Sequence, residues 1–319
     1  MKRDSHSLVK TAALPALVPP SGNMIPLLAI LLAVLFWGGS FSAMKIVVSA
    51  LGPWTVMWLR MIMGLLIILP FARRLKPKQF SRADLKLLIP LILLQPCCYF
   101  LLESNALTYT TSAQAGVISA SVPLLVAVGA WLFLGERSGW TGVTGLCLSL
   151  LGVAWLSLAG SPGDSASNPL LGNLLEFGAM VSAAAYMILL KKLSIRYNPW
   201  TLTGLQTLAG VIFFLPGLFT FSWASFAALT TTEFFALLYL GSFVTLGAFG
   251  LYNWGISRIP ANRASAYINL IPVVAVILGW TLLDEALNTG QIAGAACVFL
   301  GVWLSQYGAR KKASHSAQT

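Results

Sequence analysis

Ten apolar runs, each close to 20 residues long and bounded by charge, proline or glycine, constrain this 319-residue chain more than any other feature. An α-helix needs about that length to cross the roughly 30 Å hydrocarbon core of a bilayer. The runs lie near 26–47, 54–71, 87–108, 113–134, 140–159, 170–190, 200–220, 234–256, 264–283 and 290–308. Hydrocarbon offers the backbone no hydrogen-bond partner, so only helices and closed barrels span it. The runs lack the two-residue alternation of barrel strands, which leaves helices. Composition agrees: 57% of residues are hydrophobic and 9% charged, against about a quarter charged in a soluble domain. The first run is too long for the core of a cleaved signal peptide and reads as a spanning helix.

The positions of Lys and Arg test this count, because an error of one helix would move later basic loops to the wrong side. Alternate gaps carry Lys2, Arg3 and Lys10; Arg73, Arg74, Lys76, Lys78, Arg82 and Lys86; Arg137; Lys191, Lys192 and Arg196; Arg258 and Arg263; and Arg310, Lys311 and Lys312. These are 18 of the 20 basic residues, while the opposite gaps hold only the acids Asp164, Glu233, Asp284 and Glu285. Both termini are therefore expected in the cytoplasm beneath a bacterial-type inner membrane, 1–23 as a disordered tail and 309–319 as a second tail. The net charge of +11 reports this topology and forms no basic face for nucleic acid. Cys97, Cys98, Cys147 and Cys297 fall inside apolar runs and read as small core residues.

The chain also repeats itself. Lys45, Pro53, Trp54, Thr55, Leu59, Gly64 and Pro70 recur 146 positions later as Lys191, Pro199, Trp200, Thr201, Leu205, Gly210 and Pro216. Pro123, Trp131, Leu134, Glu136, Gly145, Gly152 and Val153 recur 149 positions later as Pro272, Trp280, Leu283, Glu285, Gly294, Gly301 and Val302. Each copy holds five runs, an odd number, so the second copy enters the membrane from the opposite side. The expected fold is an all-α polytopic membrane protein of ten transmembrane helices in two inverted five-helix repeats, residues 24–160 and 170–308, joined by the Gly-, Ser- and Pro-rich linker 161–169. Inverted repeats are a recurring architecture of secondary transporters.

Trp37-Gly38-Gly39-Ser40-Phe41 with Lys45, then Arg60, Pro123, and the Leu134-Gly135-Glu136 and Leu283-Asp284-Glu285 segments with their following glycines, carry a resemblance over about residues 26–308. The chain resembles the EamA-type transporters of the drug/metabolite transporter superfamily. That resemblance implies a central cavity lined by helices 1–4 and 6–9, with 5 and 10 peripheral, working by alternating access. It also implies export of amino acids or other small metabolites. At helix 6, Ala183 and Ala184 replace the Trp-Gly pair of helix 1, so the halves are expected to contribute unequally.

Ionisable groups inside a membrane are costly unless paired or wetted, which marks Arg60, Glu103 and Glu176, with Lys45 near a helix end. In the functional reading Arg60 or Lys45 meets a substrate carboxylate, and Glu103 or Glu176 meets an amine or accepts a coupling proton. In the structural reading Arg60 and Glu103 pair and Lys45 snorkels to the interface. Gln95, Tyr99 and Glu103 share one face of helix 3; Trp37, Phe41 and Lys45 share one of helix 1; Ser242, Thr245, Phe249 and Tyr252 share one of helix 8. Aromatic walls with few polar groups suit a small amphiphilic solute; the alternative, favoured for any single residue, is that such aromatics pack or sit in interfacial belts. Asn262, Ser265, Asn269 and Tyr267 in helix 9, with Gln114 and Ser121 in helix 4, are secondary candidates.

Pro123 and Pro272 at equivalent positions are candidate hinges or static kinks. Gly145, Gly152, Gly294 and Gly301 read as helix-packing positions. Glu136 and Glu285 read as carboxylates at the starts of helices 5 and 10. The two histidines, His6 and His315, lie in the tails, no Cys/His cluster suggests a metal, and no phosphate loop suggests ATP coupling. The chain is thus expected to be a carrier without cofactor, in contact with lipid, a small-molecule substrate and, in one reading, protons. The rival readings are efflux of amphiphilic drugs and a non-transport receptor or structural role. The sequence is silent on oligomeric state.

Overall fold

Proline and capping side chains start the helices close to where the apolar runs begin. In the computed structural model, which describes residues 24–74, 80–134, 140–160, 163, 166–258 and 267–316, 86% of the described residues are helical. Helix α1 (Ile25–Leu51) ends at Gly52, whose φ of 75° is a left-handed value that a residue lacking Cβ adopts freely. Pro53 opens α2 (Pro53–Ile68), and a 3₁₀ stretch extends it to Arg74. Next come α3 (Leu85–Ile92), a π-helical segment (Leu93–Cys98) and α4 (Tyr99–Tyr109). Helices α5 (Ser112–Ser119), α6 (Val122–Leu134) and α7 (Trp140–Leu158) complete the first half.

The second half opens with α8 (Pro169–Leu193) and α9 (Pro199–Phe213), capped by the side chains of Asn168 and Asn198. Two short helices, α10 (Pro216–Phe219) and α11 (Trp223–Ala227), lead to α12 (Thr231–Tyr239), which starts with a Thr230/Glu233 capping box. A second π segment (Leu240–Ala248) joins it to α13 (Phe249–Ile256), followed by α14 (Ile271–Leu283) and α15 (Thr289–Ser316).

Seven stretches of the described residues are long and apolar enough to cross a membrane: Ile25–Leu51, Pro53–Arg73, Arg82–Tyr109, Ser112–Gly129, Trp140–Leu158, Pro169–Leu193 and Thr231–Ile256. Of the other three expected spans, two coincide with shorter apolar helices, Ile271–Leu283 and Thr289–Leu304, and the third with the 15-residue helix α9. Helix α9 stops at Phe213, just before Pro216 starts a new turn, because proline has no N–H to continue the ladder. The span expected from 264 begins outside the described residues and resumes as Ile271–Leu283; the last apolar helix is Thr289–Leu304. Lys76, Lys78, Glu136, Arg137, Asp164, Asn262, Arg263, Ser265 and both histidines lie outside the residues whose side chains are described.

Packing interlocks the two halves. The first helix, α1, buries Ile30, Ala33, Val34, Phe41, Met44 and Val47, chiefly against α12 to α14 of the second half. Its counterpart α8 packs chiefly against α3 to α6 of the first. Helices α7 and α15 pack mainly on each other at the periphery. A Cβ on Gly152 would lie 2.6 Å from the Val298 amide, and one on Gly301 equally close to the Ser149 amide, so only glycine allows this approach. Large apolar side chains such as Leu28, Leu32, Leu66, Leu151, Ile212 and Trp303 face outward. Such a surface is a liability in water and the natural exterior of a protein solvated by lipid.

Candidate functional site

The irregular helical turns sit where the chain bends around a cavity. In the first π segment Gln95 is extended (φ −147°, ψ 119°), which takes its carbonyl out of the helical ladder. That carbonyl accepts instead from Gln206 Nε2 at 2.9 Å. In the second π segment Thr245 Oγ1 donates five residues back to the Leu240 carbonyl at 2.7 Å. The segments coincide under the sequence repeat, since 93–98 lies 149 positions before 242–247. π turns recur at functional sites because they re-aim side chains without ending the helix.

A cavity of about 550 Å³, counting its open mouth, lies between the halves. Trp37, Ser40 and Phe41 of α1, Arg60 of α2, and Gln95, Tyr99, Phe100 and Glu103 from the first π segment and α4 form one wall. Met180, Ala183, Tyr186 and Met187 of α8, with Val244 and Phe249, form another; Ser119, Val122, Ile268 and Ile271 complete it. Many lining residues are repeat partners: Trp37 and Ala183, Ser40 and Tyr186, Phe41 and Met187 lie 146 apart, and Gln95 and Val244, Phe100 and Phe249, Ser119 and Ile268, Val122 and Ile271 lie 149 apart. The aromatic share is unequal, as the Ala183 departure predicted.

Arg60 is fully buried and is not ion-paired. Its Nε donates to Thr245 Oγ1 at 3.0 Å, its guanidinium lies 4.3 Å from the Phe100 ring centroid, and its two terminal nitrogens have no partner. Glu103 accepts from the Tyr99 hydroxyl at 2.6 Å, within electrostatic reach of Arg60 but not bonded to it. The expected Arg60–Glu103 pair is therefore replaced by a cation resting on an aromatic face, an arrangement worth about 2 kcal/mol or more when desolvated. Glu176 is fully buried, both its oxygens are unpartnered, and it does not line the cavity. Among the described residues the ion pair is elsewhere, Arg196 to Asp84 at 2.6 Å, with Tyr197 on the second Asp84 oxygen at 2.7 Å.

One structural expectation is refined and one corrected. Lys45 Nζ donates to the carbonyls of Leu107 and Thr110, both at 2.7 Å, closing the C-terminus of α4. Glu285 does not serve the helix that follows it. It caps α5, accepting from the Ser112 and Ala113 amides at 3.0 Å and from the Ser112 hydroxyl at 2.6 Å. A carboxylate at a helix N-terminus was the right chemistry assigned to the wrong helix.

Of the sequence candidates, Trp37, Phe41, Arg60, Gln95, Tyr99 and Glu103 meet at the cavity. Tyr252 stands behind it, 4.8 Å from the Trp37 ring, with its hydroxyl on the Met187 sulfur at 3.6 Å. Tyr267 and Asn269 are half-buried and outside the lining, although Asn269 Oδ1 has no partner. Pro123 and Pro272 each sit in the first turn of a new helix, α6 and α14, after a break at 120–121 and 269–270. Sequence reasoning missed Phe100, Met180, Tyr186 and Met187. Applying the repeat offset to Phe41 would have found Met187, and to Phe249 would have found Phe100.

The sequence profile of the EamA-like transporter family matches residues 24–158 and again 170–307. The transporter YcxC of Bacillus subtilis, named as uncharacterized, is 32% identical over 237 residues, covering 70% of this chain and 74% of that protein. YetK of the same organism, named in the same way, is 29% identical over 199 residues, 62% of this chain and 60% of that protein. A WAT1-related chloroplastic protein of Arabidopsis thaliana is 27% identical over 284 residues, 85% of this chain and 67% of its own length. A solved structure titled only "Crystal structure of protein" has a similar fold, with a TM-score of 0.57 at 17% identity, covering 88% of this chain and 96% of that one.

Proposed function

Because this chain belongs to the EamA-like transporter family of the drug/metabolite transporter superfamily, we propose that it is a secondary carrier of small metabolites, amino acids or related zwitterions, working by alternating access. The observation that carries the reading is Arg60. A buried guanidinium costs roughly 2.5–3.5 kcal/mol or more inside a membrane, and here its two terminal nitrogens stay unpaired beside a cavity that also exposes Glu103. A solute carrying a carboxylate and an ammonium would complete both groups.

The carrier is read as ten helices in two inverted repeats, 24–160 and 170–308, with both termini cytoplasmic in a bacterial-type inner membrane. The cavity lining supports this, since repeat-related residues from both halves converge on one space. Helices α9, α14 and α15 supply the three spans beyond the seven long ones. Pro123 and Pro272, each opening a helix after a break, are the hinge candidates. Glu103 and Glu176 are the candidate proton acceptors. The rival reading, efflux of amphiphilic compounds, draws on the apolar wall of Trp37, Phe41, Phe100 and Phe249.

Counterflow in proteoliposomes with labelled amino acids and cationic dyes, with and without a pH gradient, separates the readings. Saturable amino-acid exchange is expected. Dye movement alone would favour efflux, and silence across both groups would remove the zwitterion reading.

A further inference from the structure

A second, smaller cavity of about 250 Å³, counting its open mouth, adjoins the first and shares Gln95, Phe100 and Phe249 with it. Its walls are mostly apolar, with Met61, Pro96, Phe100 and Phe249, and the polar residues among them are Thr203, Gln206 and Thr207 of α9 with Thr245 of the π segment. The three hydroxyls are engaged: Thr203 with Pro199 and Asn253, Thr207 with Thr203, Thr245 with Leu240 and Arg60. Gln206 is different. It is 6% exposed, its Nε2 holds the Gln95 carbonyl at 2.9 Å, and its Oε1 has no partner.

Gln206 is also the repeat partner of Arg60, 146 positions on. Each half thus sends one long polar side chain from its second helix toward the same region, a cation from the first and a neutral acceptor from the second. A buried carbonyl left unsatisfied is destabilising, and a bound donor would remove that cost. A purely apolar ligand part would pack on Met61, Pro96, Phe100 and Phe249 but leave that acceptor unsatisfied.

We propose that this second cavity is a subsite for an uncharged hydrogen-bond donor on the transported solute, such as a side-chain amide, and that Gln206 Oε1 reads it. The inference rests on the zwitterion reading above, with Arg60 taking the carboxylate. It narrows the substrate class to amino acids with a short, neutral, donor-bearing side chain and makes Gln206 a specificity-determining residue.

The test measures binding to the purified full chain in detergent, by ligand-induced thermal shift, for two shape-matched pairs: L-asparagine against L-leucine, and L-glutamine against L-methionine. Satisfying one buried acceptor corresponds to about tenfold tighter binding. Wild-type protein is expected to prefer the amide of each pair by about tenfold, and Gln206→Met to lose that preference while still binding leucine and methionine. If Gln206→Met fails to fold, Gln206→Asn, which withdraws the acceptor by one methylene, should lose it instead. A wild type without preference, or a preference that survives these substitutions, overturns the subsite and leaves the carrier reading intact. Failure of the wild type to bind any of the four overturns the zwitterion reading and the subsite together.

Discussion

Lys45 Nζ donates to the Leu107 carbonyl at 2.7 Å, tying the last third of α1 to the end of α4. The same bond occurs in the second half, where Lys191 Nζ donates to the Ile256 carbonyl at 2.9 Å. Lys191 lies 146 positions beyond Lys45 and Ile256 lies 149 beyond Leu107, the two offsets of the sequence repeat. Each half therefore closes the C-terminus of its third helical run with the lysine of its first. Both ammonium groups sit where the helix dipole favours a cation.

Replacing Lys45 with Met should strip two carbonyls of a charged donor. Hydrogen bonds to charged groups contribute about 1.5–3 kcal/mol each, and retained packing of the alkyl stem leaves that as the main loss. The expected result is a clear fall in thermal midpoint in detergent; an unchanged midpoint would show that the capping is incidental.

Glu285→Gln should destabilise more than Glu233→Gln, although both acids cap helices. Glu285 is 5% exposed and accepts three bonds from α5, whereas Glu233 is only half-buried in its capping box. An N-terminal cap contributes about 1 kcal/mol, and burial raises that because the freed amides cannot turn to water. Denaturation of the two variants side by side checks the order.

Arg60→Met should reduce counterflow at least tenfold in a protein that still inserts and elutes as wild type. Arg60→Lys is expected to behave similarly, because an ammonium cannot both reach Thr245 and lie flat on Phe100. Full activity in Arg60→Lys would mean that charge alone suffices and that the planar contact is dispensable.

Gly152→Leu should separate α7 from α15, since the neighbouring Val298 amide leaves no room for a side chain. Overpacking at such a contact costs about 1–3 kcal/mol. Because this pair stands apart from the cavity, binding by any folded fraction should keep its wild-type affinity. Loss of affinity in a folded variant would place the pair on the transport path.

The topology can be checked by labelling single cysteines at Ser165 and Lys76 in a cysteine-free background. Modification of the two from opposite faces of the membrane is expected. Labelling of both from one face would contradict the inverted arrangement.

Much of the candidate site was legible before any tertiary contact was known. Arg60 stood out as a charge inside an apolar run, and Trp37, Phe41, Gln95, Tyr99 and Glu103 because polar or aromatic residues at four-residue spacing in an apolar helix mark a face turned away from lipid. Met180, Val122 and Ile271 did not stand out, because an apolar side chain at a cavity wall looks the same in sequence as one in lipid. Glu285 was misassigned because its partner helix lies 173 positions earlier, beyond the reach of local capping patterns.

The sequence by itself determined the helical class, the seven long spans, the duplication and the family. Each depends on local chain properties: a length of apolar helix that suits hydrocarbon, charge at its ends, and residues recurring at fixed offsets. Only the tertiary structure decided that Arg60 rests on Phe100 rather than on Glu103, that Glu176 stands unpartnered, and that Lys45 closes α4. Those outcomes depend on which helix faces meet, and residues far apart in the chain compete for the same buried charge. Burial makes the choice consequential, since a polar group removed from both water and lipid headgroups is held by whatever the fold brings within about 3 Å.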